Sequence, residues 1–188
     1  LMDDARLISE ALGIDKVGEV LVYNPKSFTV EFRGPMGPAL TAALTDIVAG
    51  RDLQTTDVTA SGTPVSYPIK IAHQQQVPSY EKEIGPIIAE NCATCHREGG
   101  IAPFALDSHT MVMGWSQMIR EVLMTKRMPP GQIDSHIGDF VNNMVLADEE
   151  AQKIVHWIEA GSPKDGSIDP LTELVWPETE WAFGEPDY

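Results

Sequence analysis

Cys92-Ala93-Thr94-Cys95-His96 places two thiols three residues apart, with an imidazole directly after the second. That spacing fits covalent attachment of one c-type haem. Cys92 and Cys95 can add to the two vinyl groups on one porphyrin edge while the chain turns between them, which leaves His96 under the iron. A neutral imidazole nitrogen supplies the fifth iron bond, and the other ring N–H needs an acceptor that fixes the tautomer and the ring orientation. The carbonyl of Pro103 is the expected acceptor.

Two other chemistries use closely spaced cysteines. A structural zinc site takes four nitrogen or sulfur ligands supplied as two spaced pairs, and the sequence has no second cysteine pair. A cycling thiol pair of the thioredoxin type sits at a strand-to-helix junction. Cys92 instead follows a helical pattern, and no further cysteine is available to resolve a mixed disulfide.

That helical pattern runs upstream of the motif. Ile84, Ile87 and Ile88 form an apolar stripe, Glu81 and Glu83 suit a first turn, and Pro86 is tolerable only near the start. Downstream, Met111, Trp115, Met118 and Val122 recur at helical steps and predict a helix over 108–126 with those residues as its core face. A third helix is expected from Asp148, with Glu149 and Glu150 behind it, through Ile154, Val155 and Ile158 to Gly161 and Pro163. Three helices around a haem make residues 79–165 an all-α cytochrome c-like domain.

Six methionines and three histidines follow His96 as candidates for a sixth iron ligand. Position favours Met128, which follows a helix and precedes Pro129-Pro130, a pair that keeps the backbone extended and rigid. A thioether there stabilises ferrous iron and raises the potential relative to bis-histidine ligation. Met111, Met113, Met118 and Met124 lie on the second helix, where methionine commonly fills core gaps. Met144 is the main methionine rival. His109, His136 and His156 are expected in solvated or capping roles, although any of them would give bis-histidine coordination.

Residues 1–60 read as helix, strand, strand, helix. Leu7, Ile8, Ala11 and Leu12 have helical spacing and Gly13 stops the run; Val17 to Tyr23 is β-rich, Asn24-Pro25-Lys26-Ser27 is a turn, and Phe28 to Phe32 completes a hairpin. Gly34-Pro35-Met36-Gly37-Pro38 breaks it, and Ala39 to Ala49 returns to helical spacing with Leu40, Leu44, Ile47 and Val48 on one side. Residues 61–78 have no clear period and read as a linker, with one extended stretch at Val65 to Ala72 and a solvated His73. The fold class is thus α+β overall.

Composition narrows the partners. The 188 residues carry 13 basic and 28 acidic side chains, a net charge of −15 before any haem propionates, which argues against nucleic acid or an anionic membrane. A redox protein with a basic docking surface suits this charge better. The hydrophobic fraction of 43% supports one good core or two small ones. No apolar run approaches the roughly 18 residues that span a bilayer. Residues 166–188 form an acidic tail or connector whose Trp176 and Trp181 suggest docking rather than free solvation. Both cysteines are used by the haem motif, so the haem marks the compartment: periplasmic or otherwise extracytoplasmic after bacterial-type export. Leu1 opens no signal peptide, as expected of a processed or excised piece of an exported protein.

Two resemblances extend this reading. Ala11-Leu12-Gly13, Val17 to Tyr23, Phe32-Arg33-Gly34 and the helix from Leu40 to Gly50 resemble the C-terminal half of a thioredoxin-like redoxin domain, so 1–60 is a partial α/β lobe. That family usually has a cis-proline before the first of these strands, where this chain has Val17-Gly18. The resemblance implies that the first half of the fold, with its redox cysteine, lies upstream of Leu1. The run from Cys92 to Phe104, then Arg127-Met128-Pro129-Pro130, then Trp157 to Pro163, is similar to exported mono-haem cytochrome c domains. These are often fused behind a redoxin domain and ahead of a copper type II, ascorbate-dependent monooxygenase-like domain. The resemblance implies Cys92, Cys95 and His96 as haem attachments and favours Met128; many members have tryptophan where Gly131 stands. Trp181 to Asp187 resembles the connector into the copper domain.

Outer-sphere electron transfer is therefore the expected function, needing an exposed haem edge and a transient partner surface rather than a substrate pocket. Two other functions stay open. One is an enzyme or sensor with an open sixth position for peroxide or a diatomic gas, with His136 as the polar distal group. The other is a docking module within a larger redox fusion.

Overall fold

A computed structural model describes residues 3–134 and 136–176. The mixed helix and strand content expected from the sequence is present, as seven α-helices and a two-stranded antiparallel sheet among the described residues. The chain divides into two compact units, Leu1–Pro68 and Ile69–Tyr188.

In the first unit, α1 (Leu7–Ala11) precedes a hairpin of β1 (Glu19–Asn24) and β2 (Thr29–Pro35), followed by α2 (Pro38–Val48). The Asn24 side chain makes the turn by accepting from the Lys26 amide at 2.9 Å, a local bond that suits asparagine to this position. Val22 pairs with Phe32 and Tyr23 with Val30, so a bulge lies between them. Arg33 links the hairpin to α1: it bonds the Glu19 carboxylate at 2.9 Å, and also the Leu12 and Gly13 carbonyls at the helix end, where a cation is favoured. The face of α2 differs from expectation. Ala43 is the buried position, while Leu44 and Val48 are exposed, so the helix turns its smallest side chain inward.

The second unit begins with a difference from the sequence reading. The stretch expected as extended linker forms α3 (Pro68–Gln75), with proline at its first position, where no helical N–H is needed. None of its side chains is buried. Lys70 instead pairs with Glu159 at 3.4 Å, and His73 Nδ1 lies 2.8 Å from His156 Nδ1. Polar contacts leave no apolar period to read.

The helical run into the cysteine motif comprises a π-helical turn at Tyr80–Ile84, α4 (Gly85–Ile88) and a second π-helical turn at Ala89–Ala93. Ser79 caps it by accepting from the Lys82 amide at 3.1 Å, while Glu83 accepts the Ser79 amide at 3.0 Å. Pro86 has no N–H for the carbonyl four residues back, and the turn preceding it widens accordingly, with the Gly85 amide reaching Tyr80. Ile84 and Ile88 are fully buried, as the apolar stripe predicts.

The second predicted helix is divided at Trp115 into α5 (His109–Gly114) and α6 (Ser116–Met124), and its inner face is turned by one residue. Val112 and Ile119 are buried with Trp115 and Leu123 packed beside them, whereas Met111 and Met118 are exposed. The last helix, α7 (Asp148–Glu159), buries Ile154, Val155, Trp157 and Ile158. Gly161 closes it at φ 91°, where the Ser162 amide reaches back to the Trp157 carbonyl at 3.0 Å. Lys126 performs the same turn after α6 at φ 55° without being glycine, with Arg127 N–H bonded to the Val122 carbonyl at 2.8 Å.

Candidate functional site

The motif begins within the second π-helical turn, which includes Cys92 and Ala93, and runs out of it to His96. The amides of Cys95 and His96 both point back to the Cys92 carbonyl, at 3.2 and 2.9 Å. This last turn sets the two cysteines three residues apart on it and starts the loop at His96. The loop then folds back over the turn: Ala102 N–H bonds the Cys95 carbonyl at 3.1 Å and Leu106 N–H bonds the His96 carbonyl at 2.8 Å. Gly100 permits this approach, because a Cβ there would stand 2.4 Å from the Cys95 oxygen. Leu106 is buried in the core and anchors the far end.

Inside this loop His96 Nδ1 lies 3.1 Å from the carbonyl oxygen of Phe104. A carbonyl only accepts, so Nδ1 carries the proton and Nε2 keeps its lone pair for a metal. The acceptor is thus one residue beyond Pro103, the position expected from the sequence. The fold-back bonds at Ala102 and Leu106 bracket the loop so that Phe104 is the residue brought to the imidazole. The Phe104 ring also contacts the His96 ring, with centroids 4.6 Å apart, and stacks on Trp115 at 4.2 Å and 15°.

Both cysteines are free thiols. Burial pushes the Cys92 thiol up to about 12, with Cys95 and Glu150 adding to the effect, so it is neutral at ordinary pH. Cycling thiol pairs have the opposite property, a lowered pKa that exposes a thiolate. Among the described residues no three His, Cys, Asp or Glu side chains converge as a group that could hold a metal ion.

With Nδ1 held by Phe104, His96 Nε2 and the two free thiols form a donor set that fits a group ligated by the imidazole and attached through the cysteines. Ile101 within the loop is exposed, as are Met111, Met113, Met118, Met128, Met144 and Phe140 beyond it. Met128 is 41% exposed and Met144 39% exposed. Met128 leaves α6 just past the Lys126 turn. Met144 follows Asn143, whose side chain bonds both the amide and the carbonyl of Ile133 at 3.0 Å.

The histidines behave differently from expectation. His109 is buried, edge-on to Tyr80 at 4.7 Å, with Nε2 donating to the Ser162 carbonyl at 2.9 Å. His156 is buried too and engages His73, which is half-buried rather than solvated. Only His136 lies at the surface as expected, 2.8 Å from Asp134. Trp176 lies under the Arg97 guanidinium at 4.8 Å, while Trp181 and the rest of the connector fall outside the described residues.

Reasoning from sequence missed Phe104, Trp115 and Gly100. The Gly99-Gly100 pair was the one signal of a loop folding back on the motif. No protein-family model, curated protein or solved structure matches this chain.

Proposed function

We propose that this chain transfers single electrons through one covalently bound c-type haem, anchored by Cys92 and Cys95 and ligated by His96 and Met128. The observation that carries the reading is the His96 bond to Phe104, which commits Nδ1–H to the protein and leaves Nε2 as a donor in a motif whose two cysteines are free thiols. When bound, c-type haem supplies a one-electron iron couple. The protein's own part would be to hold the imidazole at fixed orientation through the Phe104 carbonyl and to attach the porphyrin edge covalently through Cys92 and Cys95. Met128 is favoured as sixth ligand because the Lys126 turn releases it from α6 and Pro129-Pro130 prevent the helix from resuming.

The net charge of −15 suits a transient partner with a basic docking face, and no helix among the described residues is long and apolar enough to cross a membrane. Haem c attachment makes the compartment extracytoplasmic. The helix, hairpin and helix of the first unit agree with a partial redoxin lobe, and the two units together with a redoxin and cytochrome c pairing from a larger redox fusion.

The test is expression with haem c maturation machinery, followed by ferric and ferrous absorption spectra. A low-spin c-type spectrum with the weak far-red methionine band, lost in Met128→Ala, is expected. A high-spin ferric spectrum that shifts with cyanide or CO would replace electron transfer with an open-site enzyme or sensor.

A further inference from the structure

We propose that Trp115 is a positioning residue for His96, acting through Phe104 to set the electron donation of the imidazole to iron; this rests on the haem reading above. Three rings stand in contact in sequence. His96 meets Phe104 at 4.6 Å with the planes tilted 45°, and Phe104 meets Trp115 at 4.2 Å with the planes only 15° apart. The same Phe104 supplies the carbonyl that accepts from His96 Nδ1. Whatever holds the Phe104 ring therefore holds the oxygen that orients the imidazole.

Trp115 is placed to do so. The backbone leaves helical geometry at this one residue, φ −96° and ψ 4°, between α5 and α6, while the hydrogen bonds from Trp115 N–H to Met111 and from Ile119 N–H to Trp115 continue on either side at 3.1 and 2.9 Å. Val112 and Ile119, three residues before it and four after, are buried, so Trp115 is braced by the core from both sides. Phe104 lies on a loop with no regular secondary structure of its own. A rigid indole face against it lowers the freedom of that loop where the hydrogen bond is made.

The chemical consequence has a direction. A strong hydrogen bond from Nδ1–H makes the ring a better donor and favours ferric iron. Loosening Phe104 weakens the bond, reduces that donation and favours ferrous iron. Replacing Trp115 thus raises the midpoint potential with no change to either iron ligand.

The experiment measures midpoint potential and the hyperfine-shifted His96 ring resonances in the haem-loaded full chain for Trp115→Leu, Trp115→Met and Trp115→Phe. Expected for the leucine and methionine variants is a rise in the ferrous to ferric ratio at fixed applied potential of about fivefold, set below the roughly tenfold to hundredfold change in metal affinity or activity that loss of a direct partner causes. Trp115→Phe keeps a flat ring and restores both readouts. Ile154→Val serves as the control for ordinary loss of stability, lowering the melting temperature and leaving the potential in place. Haem-loaded variants with unmoved potential and unmoved His96 resonances overturn the role of Trp115 while the electron-transfer reading stands. Absence of covalent haem from the wild-type chain overturns both.

Discussion

His96 donates from Nδ1 to the carbonyl of Phe104, eight residues further along the chain, across 3.1 Å. The bond closes a loop that begins at the cysteine motif and ends at buried Leu106, and it leaves Nε2 as the one ring nitrogen with a lone pair. The loop depends on Gly100. Gly100→Ala puts a methyl group 2.4 Å from the Cys95 carbonyl oxygen, which forces the fold-back open. Expected is a loss of about 2 kcal/mol or more, accompanied by displaced His96 resonances in the haem-loaded protein. Chemical denaturation with parallel NMR checks it, and unchanged His96 resonances would refute the link between Gly100 and the imidazole.

Ile88 is fully buried in the helical run leading to Cys92. Ile88→Ala removes three carbons from the packed centre of the second unit and should cost about 3 kcal/mol. Urea unfolding followed by tryptophan fluorescence measures this, since Trp157 lies in the same core.

Lys126 occupies a left-handed conformation at φ 55° after α6. A side chain there costs about 1 kcal/mol relative to glycine. Lys126→Gly is expected to raise the melting temperature of the second unit by a few degrees, and a lowered melting temperature would show that the lysine side chain stabilises in some other way.

Asp169 joins three parts of the second unit. It accepts the Tyr80 hydroxyl at 2.5 Å, the His109 amide at 2.8 Å and the Leu171 amide at 3.2 Å. Burial by itself raises its carboxyl, but these hydrogen bonds and nearby Lys164 outweigh that and hold it below the usual range. A carboxyl depressed in the folded state contributes stability above its unfolded value, near pH 3.9, and loses it as pH falls towards the folded value. Acid unfolding therefore steepens below about pH 4. Asp169→Asn should be less stable at pH 7 and show a shallower acid slope, read from melting temperatures between pH 2.5 and 7. A residual slope is expected from Glu83, held low by the Ser79 amide, and from Asp165, held low by the Ser79 hydroxyl.

The sequence by itself determined whatever depends on neighbours within a few positions. The thiol and imidazole spacing of the motif, the turn at Asn24, the buried stripe of Ile84 and Ile88, and the stop at Gly161 are all short-range matters of covalent reach, side-chain to backbone bonding and helical period. Tertiary structure decided what depends on which surfaces meet. The exposure of Met111 and Met118 in place of Val112 and Ile119 came from the packing partner of α5 and α6, because several adjacent stripes on that helix are apolar enough to serve. Helix α3 escaped notice because its partners Glu159 and His156 lie more than eighty residues away and are polar. The burial of His109 and His156, expected in solvated or capping roles, has no sign in the sequence because it follows from contacts with distant Ser162 and His73. The choice of Phe104 over Pro103 was settled by the curvature of one loop, where a shift of a single residue moves a carbonyl by more than the length of a hydrogen bond.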